Sequence, residues 1–437
     1  MSAVKVCKFG GTSMATADSI KAIKKVIDSD PARRFVVVSA PGKRFAGDAK
    51  ITDMLYECFA KRADDAAFDA VFSRIKARYD EIIKGLGIAV DFSDEYAAVA
   101  KKIKDSKTAD YAASRGEYFG ARLISEYFGW RFIDAAQLVK FNDDGSFNDD
   151  VSDKVSHEAL SGVERAVIPG FYGSDFNGEV RVFSRGGSDI SGSIVARAVK
   201  ASVYENWTDV NGFLMVDPRI VENPKHIKAL SYRELRELSY MGANVLHSES
   251  IFPVRSQGIP INIRNTFEPE HPGTMILPDA PTDCGIITGI AGKKGFTTIN
   301  VEKSMMNNEV GFVRRILSII EHYGICFEHT PSGIDTFCIV IANSELEGKL
   351  DAILDEIDRV VDPDHIEAHS GIALIATVGH GMAKKIGTSA RLFKALSENN
   401  VNVRMIDQGS SELNIIVGVE EKDYENAIRA IYNEFVK

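Results

Sequence analysis

The sequence predicts an α/β protein, with a mostly parallel sheet sandwiched by helices followed by two small α+β units. Three observations lead there. Over the first two-thirds of the chain, short apolar runs alternate with amphipathic helical patterns. Glycine pairs stand where a strand pattern gives way to a helical one. The last third repeats itself at a fixed offset, which is a fold-level signal.

Residues 4–9 and 34–39 read as strands, with a helix at 17–27 between them. Helical patterns fill 51–86, and a further helix runs through 115–128. Apolar runs at 163–169, 180–183, 201–205 and 259–263 supply more strands. Such runs separated by helices imply parallel strands with both faces covered. Residues 141–150 are polar and turn-rich and read as a surface loop.

In the last third, Gly311 matches Gly387, Arg315 matches Arg391 and Ile316 matches Leu392. Ile325 then matches Val401, Gly333 matches Gly409 and Ile339 matches Ile415. Each copy reads strand, helix, strand, strand, helix. The first adds a strand at 365–369, and a spare strand at 286–291 precedes it. The spare strand is expected to complete the second unit, leaving the first inserted within it. The expected domains are therefore 1–284, 295–370, and 285–294 joined to 371–437.

Composition narrows the class. The chain has 437 residues, 45% hydrophobic and 26% charged, with a formal net charge of −10. At roughly 150 residues per domain, two or three domains are expected. An acidic chain lacks the footprint of a nucleic-acid binder, so an anionic ligand must meet a local positive site. Five cysteines without a CxxC fit a reducing compartment. The N-terminus reads as a strand rather than a signal peptide, and there is no uncharged apolar run of about 18 residues. A cytoplasmic protein without membrane or nucleic-acid partners is expected.

Three clusters carry chemistry. The first is Lys8, Phe9, Gly10, Gly11, Thr12 and Ser13, between a strand and a helix. Adjacent glycines and a helix N-terminus form an anion site, and Lys8 adds a point charge. The lysine precedes the glycines, so this is not a P-loop, and no GxGxxG occurs. The second is Arg185, Gly186, Gly187, Ser188 and Asp189, again at a helix start. Arg185 can clamp a carboxylate with two parallel hydrogen bonds. Asp189 can orient the Lys8 ammonium; a helix cap is the alternative. The third is Trp207 to Gly212, followed by Asp217, Pro218 and Arg219, after a strand and hence at the ligand-binding edge of an open α/β sheet.

Together these clusters resemble the amino-acid kinase superfamily, and within it the aspartate kinases. The resemblance extends over nearly the whole chain, and the repeated units are similar to ACT domains. The family's K-F-G-G-T-S is intact at 8–13 and its V-S-A at 38–40. Its G-R-G-G-S-D has Ser184 for the leading glycine, and its W-T-D-V-D-G has Asn211 for the second aspartate. The resemblance implies Lys8 and Asp189 as the catalytic pair. It implies Ser39, Thr52, Glu117, Arg185 and Ser188 around aspartate, with Glu117 at a helix start pairing with the α-ammonium. Lys8, Gly10, Gly11, Ser13, Thr208, Asp209, Asp217 and Arg219 would line the ATP site, with Mg²⁺ held mainly through phosphates. Met305, Met306, Asn308, Gly311 and Glu328 would face an effector, with lysine expected, in a homodimer or dimer of dimers joined through the ACT units. The cluster His365, Glu367 and His369 is not expected to hold a metal.

Two rival readings remain: a sibling enzyme acting on a glutamate-type carboxylate, and a non-catalytic amino-acid sensor. Intact Lys8, Arg185 and Asp189 oppose the sensor. One departure favours it, since Asn244 stands where the family usually has a lysine near the nucleotide. Restoring the charge with Asn244→Lys is expected to lower the KM for ATP in steady-state kinetics; an unchanged or higher value removes Asn244 from the site.

Overall fold

The structure, a computed structural model, describes residues 3–243, 246, 248–281 and 285–436. The first strands are β1 (Lys5–Phe9), β2 (Arg33–Val38), β3 (Arg131–Phe132), β4 (Ala166–Pro169), β5 (Tyr172–Ser174), β6 (Val180–Val182), β7 (Val203–Thr208), β8 (Ala229–Ser231), β9 (Ile261–Asn265) and β10 (Thr274–Leu277). The helices among them are α1 (Ala17–Asp28), α2 (Ile51–Ala60), α3 (Asp65–Leu86), α4 (Ser93–Asp105), α5 (Asp110–Phe128), α6 (Asp149–Leu160), α7 (Gly187–Ala198), α8 (Tyr232–Tyr240) and α9 (Phe252–Arg255). The chain divides into two compact units. One comprises Met1–Phe213, Lys228–Tyr232 and Asn244–Pro281; the other comprises Leu214–Ile227, Arg233–Ala243 and Thr282–Lys437.

In the first unit, eight strands form one sheet in the order β3-β4-β2-β1-β7-β9-β10-β8. Every pairing from β3 to β9 is parallel, while β10 runs antiparallel to β9. Period-2 alternation sends Cys7, Phe9, Val36, Val38 and Trp207 into a core shared with α1, α2, α3 and α5. The other face carries α7, packed on β1, β2 and β7.

Four features differ from the sequence reading. The run at 180–183 is not in the main sheet; it pairs with β5 as a separate two-stranded hairpin. Helices α4 and α6 are additional, and α6 begins inside the expected loop at 141–150. Asn148 caps it by accepting from the Val151 N–H. Strands β8 and β10 extend the sheet beyond the runs that were recognised. Helix α5 starts at Asp110, so Glu117 lies two turns inside it rather than at its start.

The second unit contains β11 (Gly289–Glu302), β12 (Thr336–Ala342), β13 (His365–Val378), β14 (Val403–Asp407) and β15 (Asn414–Glu420). Its helices are α10 (Phe312–His322), α11 (Asn343–Leu346), α12 (Leu350–Val361), α13 (Thr388–Glu398) and α14 (Tyr424–Val436). The sheet order is β12-β11-β13-β15-β14, all antiparallel. Strands β11 and β13 are each 14 residues long and serve both copies of the repeat. Residues 296–302 pair with β12 and the start of β13, whereas 289–293 pair with 374–378, which in turn pair with β15. Irregular register between Lys293 and Thr298 marks the handover. Each copy has its own core: Ile299, Val301, Ile339 and Ile341 with α10 and α12, and Ala373, Ile375, Ile415 and Val417 with α13 and α14. Gly311 and Gly387 occupy equivalent N-caps at φ of 80° and 87°, a left-handed conformation that favours glycine.

Candidate active site

The site is built at one edge of the parallel sheet, where β1, β2, β4 and β7 end together. The Ser39 N–H donates to the Phe9 carbonyl, the Gly42 N–H to the Gly11 carbonyl, and the Gly170 N–H to the Val38 carbonyl. These bonds place the turn after β1 beside the loops after β2 and β4. Gly42 has to be glycine here, because a Cβ would sit 2.7 Å from the Gly11 carbonyl carbon. Gly186 opens α7 in the left-handed region at φ 59°, and the turn directs Asp189 toward β1.

Lys8 Nζ lies 2.6 Å from Asp189 Oδ1. The two glycine turns, far apart in sequence, therefore converge. The lysine is 8% exposed, and its Nζ is 3.5 Å from Asn206 Oδ1. Ser188 packs against Gly170, where a Cβ would lie 2.8 Å from the serine Cβ. Arg185 is exposed and has no ion-pair partner among the described residues, so its guanidinium is open to an anion. Ser39 and Thr52 are half-buried, at the end of β2 and in the first turn of α2.

Glu117 is 5% exposed, and its Oε2 has no hydrogen-bond partner. Burial pushes this carboxyl up to about 8, against the pull of the Ala40 N–H, its own N–H and Arg115. Gly116 and Gly120, flanking it on α5, pack on Ala40 and on the Ser39 carbonyl. The acid thus sits behind the loop that follows β2.

On the opposite face of β7, Glu205 is gripped by Arg33 Nε at 2.8 Å and by Trp207 Nε1 at 2.9 Å. Burial pushes its carboxyl up, but the Arg33 hydrogen bonds and charge bring it below the usual value. Trp207 is fully buried, stacked on Phe9 at 6.0 Å between centroids, with Arg264 4.6 Å from its ring centre. It is a core residue in the strand that ends at half-buried Thr208 and leads to exposed Asp209, where the threonine hydroxyl donates to Asp209 Oδ1.

Several expected site residues lie elsewhere or face inward. Ser13 is fully buried and its hydroxyl bonds Thr266 at 2.8 Å, so that side chain is a brace rather than an open phosphate contact. Asp217 and Arg219 belong to the second unit. There Arg219 is largely exposed and pairs with Asp217 at 2.6 Å, holding that carboxyl below its usual value. In the first repeat Met305 is 65% exposed, but Met306 is 7% exposed and belongs to the core rather than to an effector surface. Asn308 is exposed, and Glu328 is half-buried against the Tyr240 hydroxyl, whose pKa is raised by burial and by that acid. Asn244 lies outside the described residues. Asn206 was missed, although it alternates with Glu205 and Trp207 and so had to face Lys8.

The amino acid kinase family profile matches residues 3–265, and an ACT domain profile matches residues 375–435. The chain belongs to the amino acid kinase family. Its relatives over the full length are aspartokinases: it is 38% identical to aspartokinase 3 of Bacillus subtilis, spanning 99% of this chain and 98% of that protein. The crystal structure of Clostridium acetobutylicum aspartate kinase, described as an allosteric enzyme, superposes with a TM-score of 0.91 at 53% identity, covering 99% of this chain and all of that one. E. coli aspartokinase III in complex with aspartate and ADP shares the fold at 23% identity, with a TM-score of 0.76 over 99% of this chain and 100% of that one.

The buried Glu117 sets a pH dependence. Its folded pKa of about 8 lies above the ordinary carboxylate value, so it costs nothing in acid. The cost grows as pH rises from the unfolded value of about 4.3 and levels off above the folded one. The thermal midpoint of Glu117→Gln minus that of the wild type should therefore increase from pH 5 to pH 8.5; a difference that stays flat removes the raised pKa.

Proposed function

We propose that this chain is an aspartate kinase. It moves the γ-phosphoryl group of ATP onto the side-chain carboxylate of L-aspartate, giving 4-phospho-L-aspartate. The observation that carries the reading is the Lys8–Asp189 pair between two glycine turns, in a chain whose full-length relatives are aspartokinases.

The chemistry needs little from the enzyme beyond placement and charge. A free aspartate side chain has a pKa of about 3.9, so the nucleophile is ionised at neutral pH and no general base is required. The obstacle is bringing one anion up to another. At ~4 Å and an effective dielectric of ~20, each pair of like charges costs on the order of 4 kcal/mol. In this reading the Lys8 ammonium offsets that repulsion at the transferring group, and Asp189 keeps the ammonium aimed. The Gly11 N–H adds a donor to the phosphates, while the Gly10 N–H is held by the Trp207 carbonyl. Phosphoryl transfer relies mainly on such positioning and charge stabilisation.

Arg185 takes the α-carboxylate of aspartate, with Ser39, Thr52 and Ser188 completing that end. Glu117 takes the α-ammonium, whose arrival lowers the carboxyl's pKa and expels its proton. Mg²⁺ in this reading comes in on the triphosphate with several waters retained. Asp209, exposed just beyond the end of β7, would contact it, and the ion would supply charge neutralisation to the triphosphate. Lysine is the feedback effector in this reading, with Met305, Asn308 and Glu328 at its surface in the first repeat and Glu328 meeting its side-chain ammonium. The active form is a homo-oligomer joined through the ACT units.

The deciding assay couples ADP release to aspartate, with hydroxylamine trapping the acyl phosphate and a glutamate control. Turnover should depend on aspartate and fall when lysine is added; activity on glutamate instead supports the sibling enzyme, and no turnover supports the sensor. Lys8→Ala and Asp189→Ala should each lower kcat by roughly 10²-fold or more with smaller changes in KM. Near-normal turnover in either folded variant counts against the assignment. Aspartate binding near pH 7 should release close to one proton, read by calorimetry in buffers of different ionisation heat, and Glu117→Gln should abolish that release.

A further inference from the structure

We infer that Asn206 is the positioning residue that sets the Lys8–Asp189 pair. The inference rests on the reading of those two as the catalytic pair, and nothing in the family resemblance assigned a role to this asparagine.

Asn206 lies in β7, the strand beside β1, in direct register with Lys8. Their side chains therefore share a face, the one covered by α7. Asn206 is 3% exposed, too buried for its amide to be satisfied by solvent. Its Nδ2 donates to Asp189 Oδ1 at 2.9 Å, the same oxygen that Lys8 Nζ approaches at 2.6 Å. Its Oδ1 stands 3.5 Å from that ammonium. One side chain thus presents a donor to the acid and an acceptor to the base. Only a primary amide of this length offers both; a carboxylate would lose the donor and an apolar side chain would lose both.

Both contacts fix where the two charged side chains point. Tyr204, two residues earlier on the same face, donates its hydroxyl to the Asp189 backbone carbonyl at 3.1 Å. Strand β7 therefore grips Asp189 twice, by its backbone and by its carboxylate. Oδ1 is shared between Asn206 and Lys8, so the carboxylate cannot rotate freely. The lysine is steered along one line, leaving its remaining N–H groups for the transferring phosphoryl oxygens.

Asn206→Leu removes both contacts at similar size. It should lower kcat by about 10–100-fold, the worth of a hydrogen bond to a charged group, while the KM values for aspartate and ATP stay within about two-fold. In an Asp189→Asn background the same substitution should change kcat by less than about two-fold, because the group it acts through is gone. A purely structural role would lower the thermal midpoint and the rate alike in both backgrounds. The inference is overturned by a kcat within two-fold of wild type, by a loss borne mainly in KM, or by equal losses in the two backgrounds. If Asp189→Asn turns over too slowly to measure, the division between kcat and KM in Asn206→Leu decides alone. Wild-type turnover with aspartate is measured first: its absence refutes the kinase reading, whereas its presence with an indifferent Asn206→Leu refutes only the role of Asn206.

Discussion

The contact between Lys8 and Asp189 is the constraint around which the first unit is arranged. A lysine at the end of β1 and an acid in the first turn of α7 are brought within 2.6 Å by strands that neighbour each other in the sheet but not in the chain. Both are largely screened from water. A mostly buried ion pair of this kind is weak evidence for stability, because its desolvation cancels much of the attraction. Its value lies in direction. It fixes where the Lys8 ammonium points.

The rest of the unit serves that placement through alternation along β7. Residues 204 and 206 hold α7 on one face, while Glu205 and Trp207 anchor the other face through Arg33 and Phe9. The strand is thus pinned from both sides at the point where its end must be exposed. The loop after β2 is tied to β1 and its turn by the Ser39 and Gly42 N–H groups, and the loop after β4 is tied to β2 by the Gly170 N–H; Gly42 approaches the Gly11 backbone, and Gly170 approaches Ser188, so closely that only glycine fits. Burial also raises the Glu117 carboxyl above the usual carboxylate range behind the loop after β2.

Much of this was legible in the sequence. The glycine turns announced themselves because a strand-to-helix switch with paired glycines has few other uses. The parallel strands were visible as Val- and Ile-rich runs. The repeat was visible partly because Gly311 and Gly387 sit at left-handed positions that resist substitution. What escaped was either charged or hidden by context. Helices α4 and α6 carry many acids and lysines, and their buried stripes are thin. Glu117 was placed at a helix start because the polar run 106–110 masks where α5 begins. Met306 was expected at an effector surface, together with Met305, from the resemblance to ACT domains; the 3-10 turn of the chain sends it inward. Asn206 was passed over beside the louder Trp207, although its place on the alternating face was already determined.

The two long strands of the second unit have a further consequence. Because β11 and β13 each run through both copies of the repeat, neither copy is a portable module. Any cut that liberates one would sever two strands and expose raw edges on each side. The smallest piece that could be excised, transplanted or expressed with its hydrogen bonding intact is the pair. A tilt imposed on one copy must also travel along a shared backbone into the other, as through a rigid rod rather than across a hinge.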